Sequence, residues 1–114
     1  MQVEQLLERA RALEPIQFSE LMDVIEQYYE FTPTAFRNGE LSNSEDQNQG
    51  SCKLLAFALQ HQLSVEQTLN LFGDYYHQEV LGDPQGSAHG NIRAFMRSGW
   101  EGVSFAAEPL RLRA

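Results

Sequence analysis

The sequence predicts an all-α fold: a small single-domain bundle of about five helices around one core, with a long polar loop and one short β-hairpin. Three observations carry this. Apolar residues recur at helical spacing along successive segments. Strand-like alternation is scarce. No linker, internal repeat or low-complexity run divides the 114 residues, a length that suits one domain and is short for two.

Val3, Leu6, Leu7, Ala10 and Leu13 mark the first helix, which should end near Pro15 because a residue before proline is biased away from helix. Phe18, Leu21, Met22, Ile25, Tyr28 and Tyr29 mark the second, with Ser19 offered as its cap and Thr32-Pro33 closing it. A long polar, turn-rich stretch then runs to Gly50-Ser51-Cys52, where an apolar helix begins. Within it, Asn38-Gly39 suits a tight two-residue hairpin, since both residues tolerate positive φ. Residues 42–49 are polar: a mobile excursion, or a loop held by turns from Asn43, Asp46 and Asn48.

Ser51 is placed to cap the third helix, whose stripe is Leu54, Phe57, Ala58 and His61. Ser64 and Gln67 form a capping box for the fourth, with Leu69, Phe72, Tyr76 and Val80 on one face. Gly73 lies inside that pattern, where close approach of a neighbouring element would justify it. Gly82 ends the helix, and Asp83-Pro84-Gln85-Gly86 reads as a turn. Ser87 would cap a fifth helix with Ile92, Phe95 and Met96 inward and Gly99 at its end. Val103-Ser104-Phe105 can add one short strand, and the tail from Leu110 to Ala114 is expected to fray.

The formal net charge of −8 disfavours nucleic acid and anionic membrane surfaces, both of which need clustered Lys and Arg. No apolar run reaches the roughly 20 residues that span a bilayer. A single cysteine cannot form an internal disulfide, which fits a reducing compartment. The expectation is a cytoplasmic protein.

Three constellations could carry chemistry. Cys52, in the first turn of a helix and beside Lys53, could be an activated thiol, with His61, His77 or His89 as base. It could equally be a small buried hydrophobe, and a structural role is expected first. The histidines with Asp74, Glu79 or Asp83 match no metal-ligand spacing, so no metal and no cofactor is assigned. Asn48, Gly50, Ser51, Cys52 and Lys53 bring a glycine approach to a helix start, where unpaired amides favour anions. Arg93 and Arg97 lie four apart, beside His89 and Asn91, and could supply a fork for phosphate or carboxylate or instead clamp Glu45 or Asp46. The many aromatics are mostly core, though a few could line a polar-mouthed pocket.

FTPTAFRNG, NQGSCKLLAFA, LFGDYYHQEVLGDPQG and NIRAFMRSGW, in this order and spacing, resemble the HopJ type III effector family from about Phe18 to Phe105. The resemblance implies no defining enzymatic activity and supplies no catalytic residues. The chain starts a helix at once, without the Ser-rich leader of a type III substrate, so a resident role is expected over secretion into a host. The expected function is a non-enzymatic binding or regulatory module. It would engage a small anion, another ligand or a protein partner through the 43–53 loop and the fifth helix. A cysteine-dependent enzyme using Cys52 and an effector acting on a host protein are the alternatives.

Overall fold

Apolar periodicity sets the helices, and a few long-range backbone pairings close the fold around them. A computed structural model describes residues 1–113; Ala114 lies outside the described residues. α1 spans Val3–Arg11, α2 Phe18–Tyr28, α3 Gln49–Gln60, α4 Val65–Asn70 and α5 Gly90–Ser98. A π-helical segment follows α4 at Tyr75–Val80, and a 3-10 turn follows α5 at Gly99–Gly102. Among the described residues, no helix is long and apolar enough to cross a membrane.

The all-α expectation is corrected. Five three-residue strands form two sheets: β1 (Tyr29–Phe31), β2 (Phe36–Asn38), β3 (Leu41–Asn43), β4 (Val103–Phe105) and β5 (Leu110–Leu112). β1 pairs antiparallel with β5, setting Tyr29 against Leu112 and Phe31 against Leu110. The other sheet runs β3-β2-β4, all antiparallel. Strands this short show no readable alternation, and the partner of β1 and the second partner of β2 come from the far end of the chain. Of the C-terminal segment expected to fray, Ala114 lies outside the described residues, and Leu110–Leu112 is a paired strand. Arg113 N donates to Tyr28 O and Gln60 Nε2 to Leu110 O, holding it down.

Several boundaries also move. α1 stops at Arg11 because Leu13 turns left-handed at φ 57°. α2 is capped by Gln17, one residue before the helix, and not by Ser19. The hairpin exists, but its two-residue turn is Gly39-Glu40, with Asn38 paired to Leu41 in the strands. Positive φ falls on Gly39 alone of these two, as a type II′ turn requires. A Cβ on Gly39 would also stand 2.7 Å from Ser98 Oγ, so the turn packs tightly on the end of α5.

The predicted fourth helix is two pieces. α4 ends at Asn70, and Gly73 takes φ +63° before the π-helical segment begins. The expected close approach is there: a Cβ on Gly73 would come 2.8 Å from Ile16 O and 2.9 Å from Gln17 Cα. The Ser64–Gln67 box forms, Gln67 N donating to Ser64 Oγ and Ser64 N to Gln67 Oε1. Gly86 N donates to Asp83 O, closing the turn read there. α5 carries Ile92 and Phe95 into the core, but Met96 faces outward. Gly99 ends α5 at φ 59°.

The core is apolar and continuous. Leu6, Leu7, Leu21, Ile25, Leu54, Phe57, Phe95 and Leu110 are buried within it. The Tyr29 ring meets Phe57 edge-on at 5.8 Å, and its hydroxyl is hydrogen-bonded to His61 Nε2 at 2.6 Å. Trp100 stands edge-on to Phe95 at 5.0 Å, and its Nε1 donates to Leu63 O, tying the end of α5 to the α3–α4 turn.

Candidate functional site

The polar loop is held, chiefly by Gln49 in the first position of α3. Its Oε1 accepts from Thr34 N at 2.9 Å, and its Nε2 donates to Thr34 O and Gln47 O. Ser44 N donates to Gln47 Oε1, and Ser44 Oγ donates to the Asp46 carboxylate. The chain then reaches Asn48, which is left-handed at φ 51° and makes the N-cap of α3 in place of the expected Ser51. α5 begins in the same manner: His89, left-handed at φ 59°, stands at its N-cap in place of Ser87. Asn tolerates this conformation better than most side chains, and His is also enriched there.

A network of asparagines, Asn38, Asn43 and Asn91 buried and Asn48 at the surface, joins the two starts. Asn38 Nδ2 donates to Asn91 O at 2.8 Å and to Asn91 Oδ1 at 3.0 Å. Asn43 Nδ2 also donates to Asn91 Oδ1, and Asn91 Nδ2 donates back to Asn43 Oδ1. Asn48 Nδ2 completes the set by donating to Asn43 Oδ1 at 2.8 Å. The hairpin, through Asn38 and Asn43, thereby fixes α3 and α5 against each other. Buried networks of this kind rigidify a structure, because breaking one leaves further unpaired polar groups; here Asn38 Oδ1 alone of the buried asparagine amide atoms has no partner among the described residues.

Between these two starts lies a cavity of about 280 Å³. Asn48, Gly50, Ser51, His89 and Asn91 line it, together with Gly90 and Ile92. Phe18, Phe72 and Tyr75 form its aromatic wall. Phe18 lies parallel to Phe72 at 6.2 Å and edge-on to Tyr75 at 5.6 Å. The Tyr75 ring is 5.3 Å from that of His89, whose Nε2 donates to Glu79 Oε1 at 2.8 Å. Neither N-cap side chain bonds its own helix. Among the described residues, the amides of Gly50, Ser51, Gly90 and Asn91 have no hydrogen-bond partner. Two macrodipoles thus direct their positive ends to one place.

The remaining predicted residues lie elsewhere. Cys52 is buried with no exposed surface, and its Sγ lies 3.7 Å from Thr34 O. Burial pushes its thiol up from 9.0 to about 11, against the smaller opposing effect of Lys53. Each histidine is engaged by another group: His61 with Tyr29, His77 with Asn70 and His89 with Glu79. Burial and a raised thiol pKa both run against activation, since nucleophilic cysteines need an accessible, stabilised thiolate. Lys53 Nζ stands over the Phe31 ring at 4.8 Å. Arg93 and Arg97 line a different cavity, and Arg93 bonds Ala88 O and Pro84 O, not Glu45 or Asp46. Among the described residues, no three His, Cys, Asp or Glu side chains gather where they could hold a metal ion.

Phe18, Phe72, Tyr75, Gly90 and Ile92 are the lining residues that sequence reasoning missed as site members. The aromatic residues sit on helical stripes that read as core, and no local signal separates a core aromatic from a cavity wall.

A family model described as HopJ type III effector protein matches residues 3–110 of the chain. The crystal structure of the unknown function protein VPA0580 is similar, with a TM-score of 0.95 at 43% identity, over 99% of this chain and 95% of that one. No curated protein matches.

Proposed function

The chain belongs to the HopJ type III effector protein family, and from that premise we propose that it is a single-domain, non-enzymatic binding module whose ligand is a small anion or hydrogen-bond acceptor. The ligand seats between the starts of α3 and α5. One observation carries this reading: four amides without partners, on Gly50, Ser51, Gly90 and Asn91, line one cavity. Free first-turn amides and aligned dipoles suit an anion without any basic side chain. That matters in a protein of net charge −8, where a fixed backbone site avoids adding cations. The aromatic wall of Phe18, Phe72 and Tyr75 suits the apolar part of a ligand. The deep, unstabilised Cys52 thiol supports binding over covalent catalysis.

The test is a phosphate and small-carboxylate titration of the ¹⁵N-labelled chain. Amide signals of Gly50, Ser51, Gly90 and Asn91 should move together and saturate. The melting temperature should rise with the same dissociation constant, following RT ln(1 + [L]/Kd). Uniform, unsaturating shifts across the chain would rule the site out.

A further inference from the structure

We infer a second binding site, on the outer face of α5, for an organic carboxylate that carries a short apolar chain. The site is a cavity of about 290 Å³ that shares no residue with the one between the helix starts. Arg93 and Arg97, one helical turn apart, form one side of it. Like charges at this spacing repel, so an anion between them relieves a cost that the bare helix carries.

Arg93 is already positioned. Its Nε donates to Ala88 O at 2.6 Å and its Nη1 to Pro84 O at 3.5 Å, which aims the guanidinium across the 83–86 turn. Its Nη2 is buried and has no partner. A buried charged donor left unpaired is among the costlier defects a protein can carry, and it calls for a missing acceptor. The ion pairs among the described residues are Arg9–Glu20, His89–Glu79 and Arg111–Glu108, so neither Arg93 nor Arg97 has a carboxylate within 4.0 Å. The competitor is Asp83. A Cβ on Gly86 would meet both the Asp83 carboxylate and, at 3.1 Å, Arg93 Nη2. Glycine is needed there because the Asp83 carboxylate already fills the position a side chain would take.

The rest of the cavity is apolar. Val80 is its buried floor, while Leu81 and Met96 stand 47% and 42% exposed at its edge. An unbranched methionine adapts to varied apolar shapes. Guanidinium and apolar edge together select the ligand class. Inorganic phosphate would use the arginines and gain nothing from Leu81 and Met96. An alkyl carboxylate uses both.

The experiment titrates the full chain with acetate, butyrate, hexanoate and neutral hexanamide, following the Met96 methyl and Arg93 Nε–H signals by NMR. Affinity should rise up to about fourfold per methylene, the value for full burial, until the cavity is filled. Hexanamide should bind at least about tenfold more weakly, as loss of a charge-assisted bond implies. Arg93→Gln should weaken hexanoate similarly, and Asp83→Asn should tighten it by removing the internal competitor. Equal binding of hexanoate and hexanamide would reduce the site to an apolar dent. Unchanged affinity in Asp83→Asn, with a marked loss of stability, would assign the guanidinium to Asp83 and overturn the proposal. Should Arg93→Gln fail to fold, the Asp83→Asn and hexanamide arms still decide. The Gly50 and Gly90 amides should not respond to hexanoate binding here, which separates this result from the fate of the first site.

Discussion

α1, α2 and α4 start in one way, α3 and α5 in another. In α1, Gln2 N donates to Gln5 Oε1; in α2, Gln17 N donates to Glu20 Oε2. In α4, Ser64 and Gln67 bond each other's amides. These starts are closed by side chains of their own first turn. α3 and α5 begin from left-handed Asn48 and His89, and neither side chain caps its helix. Asn48 is spent on Asn43, and His89 on Glu79. Closed starts terminate local structure at low cost. The two open starts leave donors unused, and they share one cavity. The arrangement is held from outside, by asparagines on a hairpin, so it depends on tertiary structure in a way the closed starts do not.

The largest expected effect breaks that outside support. Asn91→Ala removes three side-chain bonds, those from Asn38 Nδ2 and Asn43 Nδ2 to Asn91 Oδ1 and that from Asn91 Nδ2 to Asn43 Oδ1, while Asn38 Nδ2 keeps Asn91 O. Asn91 is buried, so the groups left behind lie where water enters poorly. The loss should be about 3 kcal/mol, from three lost side-chain bonds at about 1 kcal/mol each. Urea denaturation gives the value. A change below about 1 kcal/mol would mean that apolar packing, not the network, sets α3 against α5.

The same contrast explains what the sequence revealed. Ser64-x-x-Gln67 is a local signal whose meaning is fixed within one turn, and the stop at Gly99 is of the same kind. Asn38, Asn43 and Asn91 look like ordinary loop and surface residues, because the contacts that bury them span up to 53 positions. The hairpin and the Val103–Phe105 strand are legible, but β1 and β5 are not, for the same reason. β1 reads as the end of α2 until β5 pairs with it. Of the residues singled out for binding, Asn48, Gly50, Ser51, His89 and Asn91 meet in one cavity. A helix start is legible from Gly50-Ser51. Arg93 and Arg97 fall on another face because α5 turns them about 100° per residue away from Asn91.

Cys52 offers a sharper probe of an open start. It lies in the first turn of α3, where the macrodipole and Lys53 favour thiolate, yet burial wins and its pKa is about 11. The folded protein therefore holds the proton after the unfolded chain has released it. Stability from this group is fully present below pH 9 and falls as pH rises from 9 towards 11. The fall should be about 2 kcal/mol, from 1.36 kcal/mol per pKa unit. Tyr29, also raised by burial, adds a decline at higher pH, so the measurement is the difference from Cys52→Ala. That variant should lose less stability across the window. Alkylation of the native protein should be slow and should accelerate in denaturant. Equal alkaline slopes in the two proteins would show that the thiol ionises freely and that the open start reaches it.

The smallest effect tests the closed class. Ser64→Ala removes the acceptor for Gln67 N and leaves one half of the box in place. The cost should be about 1 kcal/mol, typical of a lost N-cap. It should stay local, since Ser64 lies outside the cavity lining. The phosphate-induced shifts of the Gly50 and Gly90 amides should therefore keep their wild-type dissociation constant. Two measurements decide the matter: a denaturant midpoint and the titration repeated in the variant. A stability loss with unchanged titration keeps the two kinds of helix start separate. A titration weakened along with stability would mean that the cavity follows global stability, and that closed and open starts belong to one cooperative unit.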